Sequence, residues 1–197
     1  MNNYTGAVLF DVSKAFDQTW HKGILFKMDK LKLPSYIISW VESFLMDRKF
    51  FVNTIDSNSL LFSILSGVPQ GSTISPTLFA LYISDIDTKN LIIVNLALYA
   101  DDICIWFSSA NLNTIQAILQ DAINIIVKFF KTWCLNININ KTSYTIFTTA
   151  GYRKSYERLY SISLYINSVQ IALEPFPKFL GVTFDPKIAF CKSLQKR

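Results

Sequence analysis

The sequence predicts an α+β fold in which a mainly antiparallel sheet is backed by helices. Two apolar runs flank Asp101-Asp102, Leu91–Ala100 before the pair and Ile103–Phe107 after it, both rich in β-branched and aromatic residues. Such short runs read as strands buried on both faces. Two further stretches repeat apolar residues at helical spacing. One carries Leu78, Phe79, Leu81, Tyr82 and Ile86; the other carries Ile115, Ile118, Leu119, Ala122, Ile125, Ile126, Phe129 and Trp133. Helix stripes and sheet faces must cover one another. The Leu91–Phe107 hairpin is therefore expected beside a strand at Ala7–Val12, with helices at Ser75–Ile86 and Asn113–Trp133 behind them.

In chain order, Ala7-Val8-Leu9-Phe10 is a buried strand that delivers Asp11 at its C-terminal end. Ligand chemistry in open α/β sheets tends to lie at such ends, while an isolated aspartate there serves equally as a helix cap or a solvated strand end. His21, the only histidine, reads as a surface or helix-end residue. Ile24, Leu25, Met28 and Leu31 mark a helix stopped by Pro34. Ser35 can cap the next helix, whose Ile37, Ile38, Trp40, Val41, Phe44 and Leu45 form a broad apolar face. Phe50–Val52 and Leu60–Phe62 read as strands around a polar turn. Ser66–Pro76 breaks the periodicity: Gly67 and Gly71 permit positive φ or close backbone approach, and Ser75-Pro76 reads as a cap followed by proline at the first helical position. Asn113 can cap the long helix, with Cys134 in its apolar set. Strand-like segments follow at Asn138–Phe147, at Tyr160–Leu173 turning on Asn167-Ser168, and at Lys178–Phe184.

Composition narrows the class. With 51% hydrophobic and 17% charged residues in 197, the chain can bury a core and is not intrinsically disordered. No apolar run approaches the ~18–20 residues that cross a bilayer, and Met1-Asn2-Asn3-Tyr4 lacks the basic flank of a signal peptide. Three cysteines, far apart and outside any C-x-x-C pattern, point to a reducing, intracellular setting, cytoplasmic or nuclear, without a zinc site. Charge is uneven: residues 1–127 carry 8 Lys/Arg and 11 Asp/Glu, whereas residues 128–197 carry 11 and 3, a balance of +8. That suits either a polyanionic partner or ordinary solvated lysines.

Two adjacent carboxylates between apolar strands cannot be buried unpaired, so Asp101-Asp102 belongs at a hairpin tip. There it is either a solvated turn or, with a divalent cation relieving the repulsion, part of a metal site.

The order of these segments resembles the palm of a reverse transcriptase, closest to non-LTR retrotransposons of the jockey/LINE type. Phe10-Asp11-Val12-Ser13-Lys14-Ala15-Phe16-Asp17 with Trp20-His21 resembles motif A of that family. Gly67-Val68-Pro69-Gln70-Gly71-Ser72 with Ser75-Pro76 resembles motif B, and Tyr99-Ala100-Asp101-Asp102 motif C. Trp133 through Asn140-Lys141-Thr142 resembles motif D, and Phe179-Leu180-Gly181-Val182 the primer grip, motif E. Several motifs matching in order make the likeness specific.

The resemblance implies an RNA-directed DNA polymerase acting on an RNA template, a DNA primer and deoxynucleoside triphosphates, with no membrane partner. Asp11, Asp101 and Asp102, with the Val12 carbonyl, would bind two Mg²⁺ ions (or Mn²⁺) about 3.5–4 Å apart. Lys14 and Ala15 would meet the triphosphate with backbone N–H groups, and Phe16 would exclude a 2′-hydroxyl. Gln70 and Gly71 would line the nucleotide pocket, Lys141 would approach the phosphates, and Phe179, Leu180 and Gly181 would grip the primer. On this reading residues 1–186 form a truncated palm and 187–197 a basic tail or the start of a missing thumb connection, with incomplete fingers, no thumb and no endonuclease. A catalytically inactive nucleic-acid-binding remnant and an intron-type reverse transcriptase are the alternatives. A nucleotidyl cyclase fits less well, because of the Gly67–Ser72 loop and Lys141.

Overall fold

The computed structural model describes residues 4–86, 91, 93–152 and 155–188. Most of the expected tail, with Cys191, and Ile92 of the first hairpin strand lie outside them. The chain begins with β1 (Tyr4–Asp11), α1 (Ala15–Gln18), α2 (His21–Lys30) and α3 (Ser35–Leu45). Next come β2 (Lys49–Phe50), β3 (Phe62–Ser63), α4 (Ser75–Ile83), β4 (Asn95–Tyr99), β5 (Asp102–Ser109) and α5 (Leu112–Thr132). After β6 (Ser143–Phe147) and α6 (Tyr156–Leu159) stand β7 (Tyr165–Ile166), β8 (Val169–Gln170), β9 (Ala172–Leu173), β10 (Lys178–Phe179) and β11 (Val182–Thr183).

Two compact units result: residues 1–13, 86–132 and 136–197 form one, and 14–85 with 133–135 the other. The first is built on a five-stranded sheet ordered β4-β5-β1-β6-β9, antiparallel except for β6–β9. This is the expected α+β architecture, with one correction: the helix expected behind the sheet at Ser75–Ile86 is α4 of the second unit. Side chains alternate across a strand, so Val8 and Phe10 of β1 and Ile103 and Ile105 of β5 share one face, all at most 3% exposed. α5 covers that face. At Gly6 an added Cβ would lie 2.4 Å from Ile115 and 2.9 Å from Leu119, so a hydrogen is what lets the helix sit this close. Ala7, Leu9 and Asp11 share the opposite face with their cross-strand partners Trp106, Cys104 and Asp102.

The second unit packs α2 against α3 and α4, with Ile24, Met28, Val41, Leu45, Phe79 and Tyr82 buried between them. Lys27, 2% exposed, is held inside by the Asp85 carboxylate and the Tyr82 carbonyl, and its Nζ stands 3.7 Å from the Trp133 ring centre.

Several expectations are corrected. β4 is shorter than the apolar run and is not buried on both faces: Leu98 is 37% and Tyr99 66% exposed, because among the described residues β4 is the edge strand, paired with β5 alone. Pro34 and Ile74, not Ser35 and Ser75, occupy the cap positions of α3 and α4. Asn111 rather than Asn113 caps α5, its Oδ1 accepting from the Asn113 N–H at 2.8 Å. Cys134 is exposed, because the chain leaves the helix through it at φ 54°. α3 buries only Val41 and Leu45, leaving Trp40 57% exposed. Residues 138–142 form a turn rather than a strand. Lys178–Phe184 is a hairpin, not one strand, since Leu180 and Gly181 reverse the chain at φ 49° and 80°.

Candidate active site

The β4–β5 hairpin turns through Ala100 (φ 51°) and Asp101, and closes on the Tyr99–Asp102 pair. Asp101 therefore sits on the turn and Asp102 opens β5. On the other side of β5, Asp102 is the cross-strand partner of Asp11, the last pair of the β1–β5 ladder. Asp11 directs its own hydrogen-bonding groups away from β5: its N–H donates to Thr142 Oγ1 at 3.3 Å, and its carbonyl accepts from the Asn138 N–H at 2.8 Å. The Asp11–Asp102 pair is thus non-hydrogen-bonded, the type with Cα atoms about 4.5 Å apart and side chains closest.

Val12 follows by the same alternation. The Ser13 N–H donates to the Asn136 carbonyl at 2.8 Å. In a trans peptide the Val12 carbonyl therefore points the opposite way, to the side of Asp101 and Asp102.

Partial desolvation pushes the Asp102 carboxyl above the usual carboxylate range, and the charges of Asp101 and Asp11 push it the same way. Among the described residues no three His, Cys, Asp or Glu side chains already converge as a metal cage. The donor chemistry nonetheless fits a hard divalent cation: the donors are oxygens only, and their mutual repulsion is what such an ion relieves.

A cavity of about 390 Å³ opens at this strand end, lined by Asp11, Asp102, Lys141, Thr142, Lys178 and Phe179 among others. Lys141 reaches it because Thr142 Oγ1 donates to the Asn138 carbonyl at 2.9 Å, bending residues 138–142 back towards Asp11. Of the expected primer-grip residues Phe179 lines the cavity. Leu180 and Gly181 form the tip of the β10–β11 hairpin and are not among its lining residues. Glu174, Lys178 and the anchoring hydroxyl of Thr142 escaped the sequence reading. The Lys-Phe dipeptide before Leu180-Gly181 was the only available hint to Lys178.

The second unit holds the remaining candidates. Lys14, at φ 44°, turns the chain into α1; Ala15 is buried, and the half-buried Phe16 ring lies 4.8 Å from that of Phe79. The Gly67–Gly71 loop is stitched to this segment: the Gly67 and Val68 N–H groups donate to the Thr19 and Phe16 carbonyls, both at 2.8 Å. Gln70 Nε2 donates to Asp17 Oδ1 at 2.8 Å, so Asp17 positions Gln70, a role its place in the Phe10–Asp17 run had not disclosed. Gly67 and Gly71 adopt φ 86° and 87°, as their residue type anticipates. His21 begins α2 as expected but is buried, its Nε2 donating to the Gly67 carbonyl at 2.8 Å.

The chain is 31% identical over 195 residues to a probable RNA-directed DNA polymerase from transposon BS of Drosophila melanogaster, covering 95% of this chain and 21% of that protein. It is 29% identical over 197 residues to the RNA-directed DNA polymerase from mobile element jockey of the same organism, covering 97% and 21%. It thus spans about a fifth of the length of these relatives. In fold it is similar to apo telomerase from Candida tropicalis truncated from its C-terminal domain, with a TM-score of 0.64, 15% identity, and 92% of this chain and 34% of that one covered. Residues 1–184 match the family described as reverse transcriptase (RNA-dependent DNA polymerase), and the chain belongs to that family, among its jockey-like, non-LTR members.

Proposed function

We propose that this chain carries the nucleotidyl-transfer centre of an RNA-directed DNA polymerase, extending a DNA primer on an RNA template with deoxynucleoside triphosphates. The observation that carries the reading is the opposed pair Asp11–Asp102 at the end of β1 and β5, with Asp101 on the adjoining turn and Lys141 and Phe179 on the same cavity. The names of the relatives, RNA-directed DNA polymerases of a transposon and a mobile element, support the same class of template and product. Residues 1–186 act as the palm, and the protein works in the cytoplasm or nucleus.

The three carboxylates and the Val12 carbonyl would hold Mg²⁺, with Mn²⁺ as a substitute. Such ions, when bound, lower the pKa of the attacking hydroxyl and stabilise the leaving pyrophosphate. The protein's own part is positioning and charge. Thr142 and Asn138 fix the Asp11 backbone, so the side chain leaves the strand end from a fixed origin. Lys141 offers a cation to the phosphates as charge develops on them. Lys14 and Ala15 present backbone to the triphosphate, Phe16 sets a wall against the sugar, and Asp17 steadies Gln70 beside Gly71 in the nucleotide pocket. Phe179, Leu180 and Gly181 hold the primer end.

The test is primer extension on poly(rA)/oligo(dT) with Mg²⁺, comparing the chain with Asp101→Ala/Asp102→Ala. Mn²⁺ binding followed by electron paramagnetic resonance gives a readout independent of turnover. Metal binding and extension lost together in the double variant support the assignment; Mn²⁺ affinity unchanged in Asp101→Asn and Asp102→Asn overturns it.

A further inference from the structure

α5 has a second face. While Ile115, Leu119, Ile123 and Ile126 turn to the sheet, Asn124, Lys128 and Lys131 recur at i, i+4 and i+7 on the exposed side. Beside this stripe stands the β7–β8 hairpin, whose turn residues Asn167 and Ser168 lie at φ 48° and 67°. Gln120 ties helix and hairpin together, its Oε1 accepting from the Tyr165 N–H at 2.8 Å and its Nε2 donating to the Tyr165 carbonyl at 2.9 Å. Gln116 Oε1 accepts from the Ser163 N–H at 3.0 Å in the same way. These bonds continue a ladder along the segment and hold both walls of a groove of about 620 Å³.

The chemistry of the groove is one-sided. Lys128 and Lys131 bring two cations, Asn124, Asn167 and Ser168 bring neutral donors, and among the described residues no carboxylate lines it. Among the described residues neither lysine has an ion-pair partner. Tyr165, also in the lining, is 42% exposed and offers a ring face. Cations tracking a backbone beside an aromatic on which a base can stack are the combination that binds single-stranded nucleic acid without reading its sequence.

We propose that this groove binds a single-stranded nucleic acid, with Lys128 and Lys131 on its phosphates and Tyr165 against a base. The groove lies on the α5 side of the sheet, whereas Asp11 and Asp102 belong to the opposite face, so it is a site separate from the cavity at the carboxylates. This contact adds to the proposed polymerase reading and does not depend on it.

The test uses the whole chain, without divalent cation, and fluorescein-labelled oligo(dT) and oligo(rU) of about twelve nucleotides, near the upper range of single-strand site sizes. Anisotropy is read across a salt series. Lys128→Glu/Lys131→Glu should weaken binding at least roughly tenfold at low salt and lower the slope of log affinity against log salt by about 1.4, two single-strand phosphate contacts. Tyr165→Ala should weaken binding roughly five- to tenfold with little change in slope. Lys22→Glu/Lys49→Glu, with the same change of charge on the other unit, should do neither. Mass-spectrometric acetylation of the unaltered chain provides a readout that needs no variant: saturating oligonucleotide should protect Lys128 and Lys131. Equal losses in both charge pairs, or unchanged acetylation of Lys128 and Lys131 in the complex, would show that these lysines serve only the C-terminal end of the helix. Equal affinity for oligo(dT) and oligo(rU) fits recognition by phosphate and ring; binding of one alone would overturn the sequence- and sugar-tolerant mode proposed.

Discussion

Asp11 and Asp102 face each other as the last pair of the β1–β5 ladder, two like charges on a non-hydrogen-bonded cross-strand site. Such a pair destabilises the sheet that bears it. That cost is one a bound divalent cation would relieve.

Removing that repulsion should therefore stabilise the fold. Asp102 is held above the usual carboxylate range, so the folded state keeps its proton longer than the unfolded state does. The sign follows: the wild type loses stability as pH rises from the ordinary aspartate value through the raised one. Asp102→Asn should be more stable than the wild type at pH 7 by something of the order of 0.5 kcal/mol, a difference that vanishes below about pH 3. Urea denaturation at the two pH values measures it. Millimolar Mn²⁺ should raise Tm for the wild type and leave Asp102→Asn unmoved.

Phe16 stands half in the core of its unit and half out of it, its ring 4.8 Å from that of Phe79. Phe16→Val should admit ribonucleotides, because the lost ring face is the volume an extra hydroxyl would need. Single-nucleotide extension with dNTP against rNTP reads the ratio, expected to fall by at least about tenfold. Preserved discrimination together with lower thermal stability would make Phe16 a packing residue only.

Gly67 and Gly71 share a positive φ but not their surroundings. A Cβ at Gly67 would lie 2.8 Å from the Asp17 Cα and carbonyl oxygen and 2.9 Å from the Phe16 carbonyl, while at Gly71 no atom of the described residues stands within 4 Å. Gly71→Ala should cost only the left-handed backbone penalty, about 1–2 kcal/mol. Gly67→Ala carries that cost plus displacement of backbone, so it should lose about 3 kcal/mol or more. Equal midpoints of chemical denaturation for the two variants would contradict this.

Lys27 is a buried cation whose desolvation outweighs its Asp85 partner, which brings its pKa down to about 8. The unfolded chain holds the proton up to the ordinary lysine value, so it binds more protons than the folded one between about pH 8 and 10.5. Stability of the wild type relative to Lys27→Met should rise across that window, by roughly 1–3 kcal/mol. A flat difference between the two proteins from pH 7.5 to 10.5 would show that burial does not govern this lysine.

The sequence by itself determined whatever depends on neighbours along the chain. The Asn167-Ser168 turn is legible because these residue types tolerate the left-handed backbone it requires, and both adopt it. The Asp101-Asp102 tip is legible because two carboxylates cannot be buried between apolar strands. Helix α5 announces itself by period, and its stripe predicts the buried face at Ile115, Leu119, Ala122 and Ile126. The motifs in order then named the family.

Only the tertiary structure decided what depends on partners distant in sequence. The register that sets Asp11 against Asp102 joins residues 91 positions apart, and a slip of one would have sent every side chain of β1 to the other face. Thr142 reaches Asp11, and Lys141 and Phe179 reach one cavity, by the same long-range pairing. The apolar run before Asp101 reads as doubly buried, yet β4 is an edge strand, and an edge is a property of the sheet rather than of the segment. Cys134 and His21 exchange their expected places for a like reason. Residue type sets what burial is worth to a side chain, whereas the path of the backbone through φ 54° at Cys134, and a Gly67 carbonyl 46 residues beyond His21, decide whether it occurs.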